Sequence, residues 1–277
     1  MSEPGAAPPG YEQRLAALEQ RLAELPGAVV AFSGGVDSAM LLFACRQALG
    51  PRVLAVTADS PSLPRDELAS AEEFCRAHDI THRVVATREL EREGYRTNAS
   101  DRCYHCKSEL FDSIAAQVGE AGERGWPVLF GAIADDLTDH RPGARAASER
   151  GVLAPLAEAG LSKRDVRHYS SSHGLPTADK PSLACLASRV PYGTPVSAEL
   201  LAKLERAESA LRALGYRQLR VRHHGPVARI EVSPEDLPRA VTIDRERIVQ
   251  GVRAAGYTYV SLDLVGYRSG AMNEVLR

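Results

Sequence analysis

Ser33-Gly34-Gly35-Val36-Asp37-Ser38 follows an apolar run, residues 28–32, and precedes a second one that starts at Ala39. A strand, a glycine turn and a helix N-terminus make an anion site: backbone N–H groups point outward, the helix dipole favours negative charge, and paired glycines let a phosphate approach without a Cβ in the way. The ligand implied is a phosphate group of a nucleotide. The loop lacks the Lys-Ser/Thr ending of a Walker loop and the spaced glycines of a dinucleotide fingerprint. Three further stretches carry reactive residue types. Residues 98–107 contain Cys103 and Cys106, a CxxC pair that cannot complete a tetrahedral metal site by itself. Residues 131–143 place Asp135, Asp136 and Asp139 within five positions of one another just past a strand-like run, where they can ligate Mg²⁺, orient a cationic substrate or form a solvated turn. In residues 180–193, Cys185 stands between Lys180 and Arg189; positive neighbours favour the nucleophilic thiolate, and the flanking Leu-Ala pairs equally suit a packed, inert thiol.

The glycine loop resembles the PP-loop of ATP pyrophosphatases. That likeness implies that Ser33, Gly34, Gly35, Asp37 and Ser38 cradle the β/γ-pyrophosphate of ATP, Asp37 by way of Mg²⁺ rather than by direct contact between like charges. Ala58 and Gly131, each at the carboxyl end of a strand-like run, complete the ATP cleft. The implied chemistry is adenylylation with release of pyrophosphate.

Taken together, the loop, residues 102–107, residues 135–143, residues 185–193, residues 222–231 and the terminal Asp263-Leu-Val-Gly-Tyr-Arg268 run to Glu274 are similar to the LarE family of ATP-dependent sulfur transferases. Family examples often carry Gly-Thr-Asn before the acidic pair, where this chain has Gly131-Ala132-Ile133-Ala134. The resemblance implies a pyridinium dicarboxylate mononucleotide as substrate, its carboxylates converted to thiocarboxylates on the way to a nickel-pincer nucleotide cofactor. Cys185 is the candidate to intercept the acyl adenylate, with Arg189 beside it as a second catalytic candidate. Two sulfur sources belong to the family: Cys185 itself, sacrificed by C–S cleavage, or a [4Fe-4S] cluster held by Cys103, Cys106 and Cys185. Arg102, Lys107, Ser188, Arg189, Arg222 and Arg229 are candidates to bind the substrate's carboxylates and phosphate, Arg189 foremost, because guanidinium forks match both groups. Tyr104 or Tyr192 can stack on a pyridinium ring. The family also implies a homo-oligomer. The competing expectations are another PP-loop enzyme, a tRNA sulfur transferase or an amidating synthetase.

These residues need a scaffold, and the hydrophobic pattern supplies one. Strand-like runs at 28–32, 53–57, 82–86 and 127–130 alternate with helix-like segments near 38–49, 65–78 and 107–118, the signature of an α/β doubly wound parallel sheet whose ligands bind beyond the carboxyl strand ends. A tail over residues 1–10 and a lead-in helix, together residues 1–27, precede a nucleotide domain over 28–195. A small α/β domain over 196–277 follows, with helix-like segments at 197–213 and 245–255 and strand-like runs at 218–223, 227–232 and 257–263.

The 277 residues suffice for two domains. With 34 basic against 36 acidic residues, the formal charge of −2 removes the general footprint of a nucleic-acid binder. No apolar run is long enough for a membrane span, and residues 1–10 lack the basic-then-apolar pattern of an export signal. A cytoplasmic location is expected, and five cysteines, an odd number, do not read as a disulfide framework. Cys45 and Cys75 sit in helix-like apolar patterns and are expected in the core.

Overall fold

In the computed structural model the apolar run after Gly27 forms β1 (Ala28–Ala31), buried at every residue, as a central parallel strand covered on both faces requires. The described residues are 6–137, 142–181 and 184–268; they divide between two units, Met1–Glu89 with Asp101–Ser182, and Leu90–Ser100 with Leu183–Arg277.

In the first unit the helix α1 (Tyr11–Ala23) leads into β1, and α2 (Val36–Leu49) and α3 (Arg65–Ala77) connect β1 to β2 (Val53–Asp59) and β2 to β3 (Thr81–Ala86). After an excursion through α4 (Glu93–Arg96), which belongs to the second unit, the chain returns in α5 (Arg102–Gln117) and α6 (Glu120–Glu123) and adds β4 (Val128–Phe130). All pairings are parallel and the strand order is β3-β2-β1-β4. Because the chain moves outward from β1 on one side and reappears as β4 on the other, the order switches between β1 and β4, where such sheets open a ligand crevice. The α/β doubly wound reading of the sequence holds.

Side-chain alternation covers both faces. Ala28, Val30, Val53 and Ala55 join Leu18, Leu22, Leu41 and Val166 in one core cluster, while Val29, Ala31, Leu54 and Val56 join Phe111 and Ile114 of α5 in the other. Ten of the fourteen residues of α2 are buried, so this helix runs through the core and its N-terminus is fixed by packing. Cys45 and Cys75 lie in the first cluster as expected, and burial pushes both thiols up to about 12, which leaves them un-ionised and inert.

Beyond β4 come α7 (Ala134–Leu137), α8 (Pro142–Ser148), α9 (Pro155–Glu158) and α10 (Lys163–Ser172). Helix α10 starts with a capping box: the Ser162 hydroxyl accepts from the Asp165 N–H and the Asp165 carboxylate accepts from the Ser162 N–H. Arg14 of α1 binds the same fully buried carboxylate at 2.7 Å, and together these contacts fix Lys163 as the first residue of the helix.

The second unit contains α11 (Ala198–Ala213), β5 (Leu219–His224), β6 (Val227–Val232), α12 (Leu237–Thr242), α13 (Arg245–Ala254) and β7 (Tyr259–Leu262). Strands β5 and β6 pair antiparallel and β6 and β7 parallel. Two boundaries differ from the sequence reading. The second unit begins at 183 rather than 196 and also takes in residues 90–100; Asn98 donates its side-chain amide to the carbonyls of Val190, Pro191 and Thr194, which ties residues 190–194 into this unit as a loop. Helix α5 begins at Arg102 rather than 107, because its polar, cysteine-bearing first turn has no apolar periodicity to announce it. Residues 1–5 of the expected tail, Asp139, and the end of the terminal Gly-Tyr-Arg stretch from residue 269, including Glu274, lie outside the described residues.

Candidate active site

The glycine loop joins β1 to α2 at the switch point. Gly34 takes a left-handed φ of 73°, and Gly35 stands as the extended N-cap of α2 without a side-chain cap, which leaves the first-turn N–H groups for an anionic ligand. Two serines brace the loop from within: Ser38 Oγ donates to the Gly35 carbonyl at 3.1 Å and accepts from the Ser33 N–H at 3.3 Å, and the two hydroxyls lie 3.1 Å apart. Gly131, just past β4, lies so close to the start of α2 that a Cβ there would stand 2.8 Å from Ser38 N and 2.9 Å from its Cα. Ala58 lies near the end of β2, half-buried. The ATP residues read from the sequence thus fall within one unit, on the loop and the carboxyl strand ends.

Two lysines reach this loop, contacts that the motifs did not give. Lys163 Nζ contacts both oxygens of Asp37, at 2.7 and 2.6 Å. Lys180 Nζ donates to the Gly34 carbonyl at 2.9 Å and pairs with Glu67 of α3 at 2.6 Å. The signal that could have found Lys163 is the Ser162-x-x-Asp165 box beside it.

The acidic pair after β4 is engaged with backbone. Asp136 accepts from the Ile133 N–H at 3.1 Å, and Asp135 accepts from the Lys163 N–H at 2.9 Å. Among the described residues, no three His, Cys, Asp or Glu side chains group as a metal site. These carboxylates tie α7 to its own leading residues and to the start of α10, so a role in holding Mg²⁺ is not what their observed contacts display.

Cys103 and Cys106 share a face in the first turn of α5, three residues apart, the first exposed and the second half-buried. They belong to the first unit, and Cys185 to the second. All three carry soft sulfur donors, and none is sealed in the core as Cys45 and Cys75 are. Tyr104 is engaged otherwise than by stacking on a substrate ring, with its hydroxyl donating to Glu149 at 2.6 Å and Arg145 lying 4.2 Å over its ring. Of the substrate candidates on α5, Arg102 is buried and Lys107 half-buried.

In the second unit, Cys185 caps the short 3₁₀ turn Leu186–Arg189 and is half-buried. Sequence reasoning sets Arg189 against the substrate. Instead, Arg189 is fully buried, with Nε and Nη2 on the Glu208 carboxylate at 2.8 and 3.0 Å and Nη1 on the carbonyls of Ala184 and Cys185 and on Ser188 Oγ, at 2.6, 3.0 and 2.9 Å. The correction has a plain cause: Glu208, nineteen residues on, turns the guanidinium inward. Arg222 is similar, gripping Glu231 with two nitrogens at 3.0 Å and the Ser188 carbonyl with the third at 2.9 Å. Arg229 pairs with Glu231 and Asp263 but keeps 38% of its side chain exposed, enough to meet a ligand. His223 and His224, adjacent on β5, are both pushed below the usual histidine range, first by burial and then by nearby cations.

A phosphate loop of Ser-Gly-Gly-x-Asp-Ser form at the switch point of a parallel sheet, flanked by two lysines, defines a PP-loop enzyme of the ATP pyrophosphatase type. Residues 27–109 match the family model described as queuosine biosynthesis protein QueC, itself a PP-loop family. Along 96% of its length the chain is 43% identical to an uncharacterised protein of Synechocystis sp., covering 98% of that protein, and along 87% it is 26% identical to an uncharacterised protein of Methanocaldococcus jannaschii, covering 90%. It is 36% identical over 94% of both chains to the pyridinium-3,5-bisthiocarboxylic acid mononucleotide synthase of Lactiplantibacillus plantarum. The chain belongs to that synthase's family, the LarE sulfur transferases.

The left-handed turn at Gly34 carries a prediction. A Cβ there would meet only ordinary contacts, at 3.6 Å from Ala71 and the Glu67 carbonyl, so Gly34→Ala costs the backbone strain alone, about 1–2 kcal/mol. The variant should fold, with ATP binding weakened about 5- to 30-fold in a calorimetric titration. Unchanged affinity would mean that the loop's observed shape is not the one that binds ATP.

Proposed function

We propose that this enzyme uses ATP to convert the carboxylates of a pyridinium dicarboxylate mononucleotide to thiocarboxylates, for nickel-pincer nucleotide cofactor synthesis. The observation that carries the reading is the 36% identity, over nearly the whole of both chains, to a synthase of the bisthiocarboxylate mononucleotide. It is supported by a complete phosphate loop and an accessible cysteine on a braced turn.

A substrate carboxylate oxygen attacks the α-phosphorus of ATP, pyrophosphate leaves, and a mixed anhydride with AMP forms. The loop N–H groups, with Lys163 and Lys180, carry the charge that builds on the departing pyrophosphate. Mg²⁺ enters with ATP as part of the substrate. The Cys185 thiolate then attacks the activated carbonyl and AMP, a far better leaving group than a carboxylate oxygen, departs to give a thioester. Loss of the Cys185 Cα proton drives its electron pair into a new Cα=Cβ bond as Cβ–S breaks; the product keeps the sulfur and the residue becomes dehydroalanine. Arg229 and Lys107 are the candidates for the substrate's anionic groups.

The face shared by Cys103 and Cys106 favours a second sulfur source, a [4Fe-4S] cluster with Cys185 as third ligand, which when bound would supply a replaceable sulfide. One experiment separates the two. Anaerobically purified protein is assayed for iron and acid-labile sulfide, then incubated with ATP, Mg²⁺ and the dicarboxylate mononucleotide while AMP, thiolated product and intact protein mass are followed. Loss of one H₂S equivalent from the polypeptide, with at most one sulfur delivered per chain, establishes sacrifice of Cys185. Product with unchanged polypeptide mass, together with iron and sulfide, establishes the cluster. AMP formation without any thiolated product would overturn the sulfur-transfer reading in favour of an amidating synthetase, and retention of tRNA in a gel shift at physiological salt would favour a tRNA-directed enzyme.

A further inference from the structure

We propose that Glu208 is a positioning residue for the sulfur-transfer step, acting on Cys185 through Arg189. The inference rests on the reading of Cys185 as nucleophile, and all its parts lie in the second unit.

Glu208 sits on α11, fully buried, and is the hub of four contacts. Its carboxylate takes Arg189 in a bidentate grip, accepts from Arg212 at 2.8 Å, and accepts from the Val221 backbone N–H of β5 at 3.0 Å. Burial alone would raise its proton affinity; Arg189, Arg212 and the Val221 N–H outweigh burial and hold the carboxyl below its ordinary range, so it is ionised at neutral pH. An ionised carboxylate fixes the guanidinium plane, and that plane aims Nη1 at three acceptors surrounding the nucleophile: the carbonyl before Cys185, its own carbonyl, and the hydroxyl three residues on. Both peptide groups that flank the Cys185 Cα are therefore fixed by a single nitrogen, and through it by Glu208. Arg222 and Glu231 add a parallel tether, on the Ser188 carbonyl only. A nucleophile needs such support because misplacement by about 1 Å can cost 10²-fold in rate.

The test compares three variants. Glu208→Gln keeps the size of the side chain and removes its charge. Arg189→Lys keeps the ion pair but cannot reach three acceptors with a single planar fork, and it serves if Glu208→Gln does not fold. Arg212→Ala removes the other guanidinium on Glu208 and leaves the Arg189 grip in place. ATP-dependent pyrophosphate release should stay within about twofold of wild type in all three. Single-turnover sulfur transfer should fall about 100-fold in Glu208→Gln and Arg189→Lys with KM unchanged, and by less than threefold in Arg212→Ala. Amide exchange over residues 184–190 and the rate of Cys185 alkylation by iodoacetamide should rise in the first two variants only. These two readouts do not depend on the sulfur-transfer reading, so failure of that reading leaves the positioning claim testable. Folded Glu208→Gln or Arg189→Lys proteins with wild-type sulfur transfer, or with unchanged exchange and alkylation, would overturn it.

Discussion

Cys185→Ser should continue to cleave ATP in the presence of the dicarboxylate mononucleotide, and it should deliver no sulfur. The loop, its two serines, Lys163 and Lys180 all lie in the first unit, while Cys185 belongs to the second, so the substitution leaves the adenylylation machinery whole. Pyrophosphate release is expected within a few-fold of wild type, and thiolated product should drop by about 10³-fold or more, the scale on which loss of a covalent nucleophile acts. A hydroxyl in place of the thiol is a much weaker nucleophile at neutral pH. Parallel assays of Cys103→Ser and Cys106→Ser sharpen the result: if the sulfur is that of Cys185, one equivalent is still transferred, whereas a cluster source loses transfer in all three. Full activity in Cys185→Ser would remove covalent catalysis from the mechanism.

The second large effect is at Gly131. Its missing Cβ is replaced, in the structure, by the first turn of α2, with Ser38 N at 2.8 Å, Ser38 Cα at 2.9 Å and the Asp37 carbonyl carbon at 3.0 Å. These neighbours are backbone and cannot rotate away, so Gly131→Ala must push β4 and the helix start apart at a strain of about 1–3 kcal/mol. That displacement falls on the N–H groups that hold phosphate. Pyrophosphate release should fall about 100-fold while thermal unfolding remains a single transition, lowered by a few degrees. A variant with wild-type release would show that the loop tolerates separation from β4. The contrast with Gly34→Ala, where the cost is a dihedral and not a collision, makes the pair a test of which constraint matters more to the phosphate site.

Much of the fold was legible because its signals are local. Buried parallel strands read as short apolar runs, and their alternation with helical segments predicts the sheet; β1, β2 and β3 fall within a residue or two of the pattern. The phosphate loop was legible for the same reason, since six consecutive residues carry it. What escaped depends on distant partners. Nothing near Arg189 reveals that Glu208 will bury it, so a cation beside a cysteine reads as a substrate contact. The contacts of Lys163 and Lys180 at the phosphate loop were missed because Asp37 and Glu67, their partners, are more than a hundred residues away. The first turn of α5 was missed because periodicity cannot see a turn made of Arg, Cys, Tyr, His and Cys.

One set of contacts joins segments far apart in the chain. Asn98, wholly buried and held at a left-handed φ of 55°, belongs to the short excursion between β3 and α5, and its amide serves the carbonyls of Val190, Pro191 and Thr194. During synthesis those acceptors arrive more than ninety residues later, so the excursion must wait while the parallel sheet around it can already form. Closing so long a loop is entropically costly and slow compared with local pairing. The turn at Cys185 immediately precedes these acceptors, so it is expected to set after the parallel sheet.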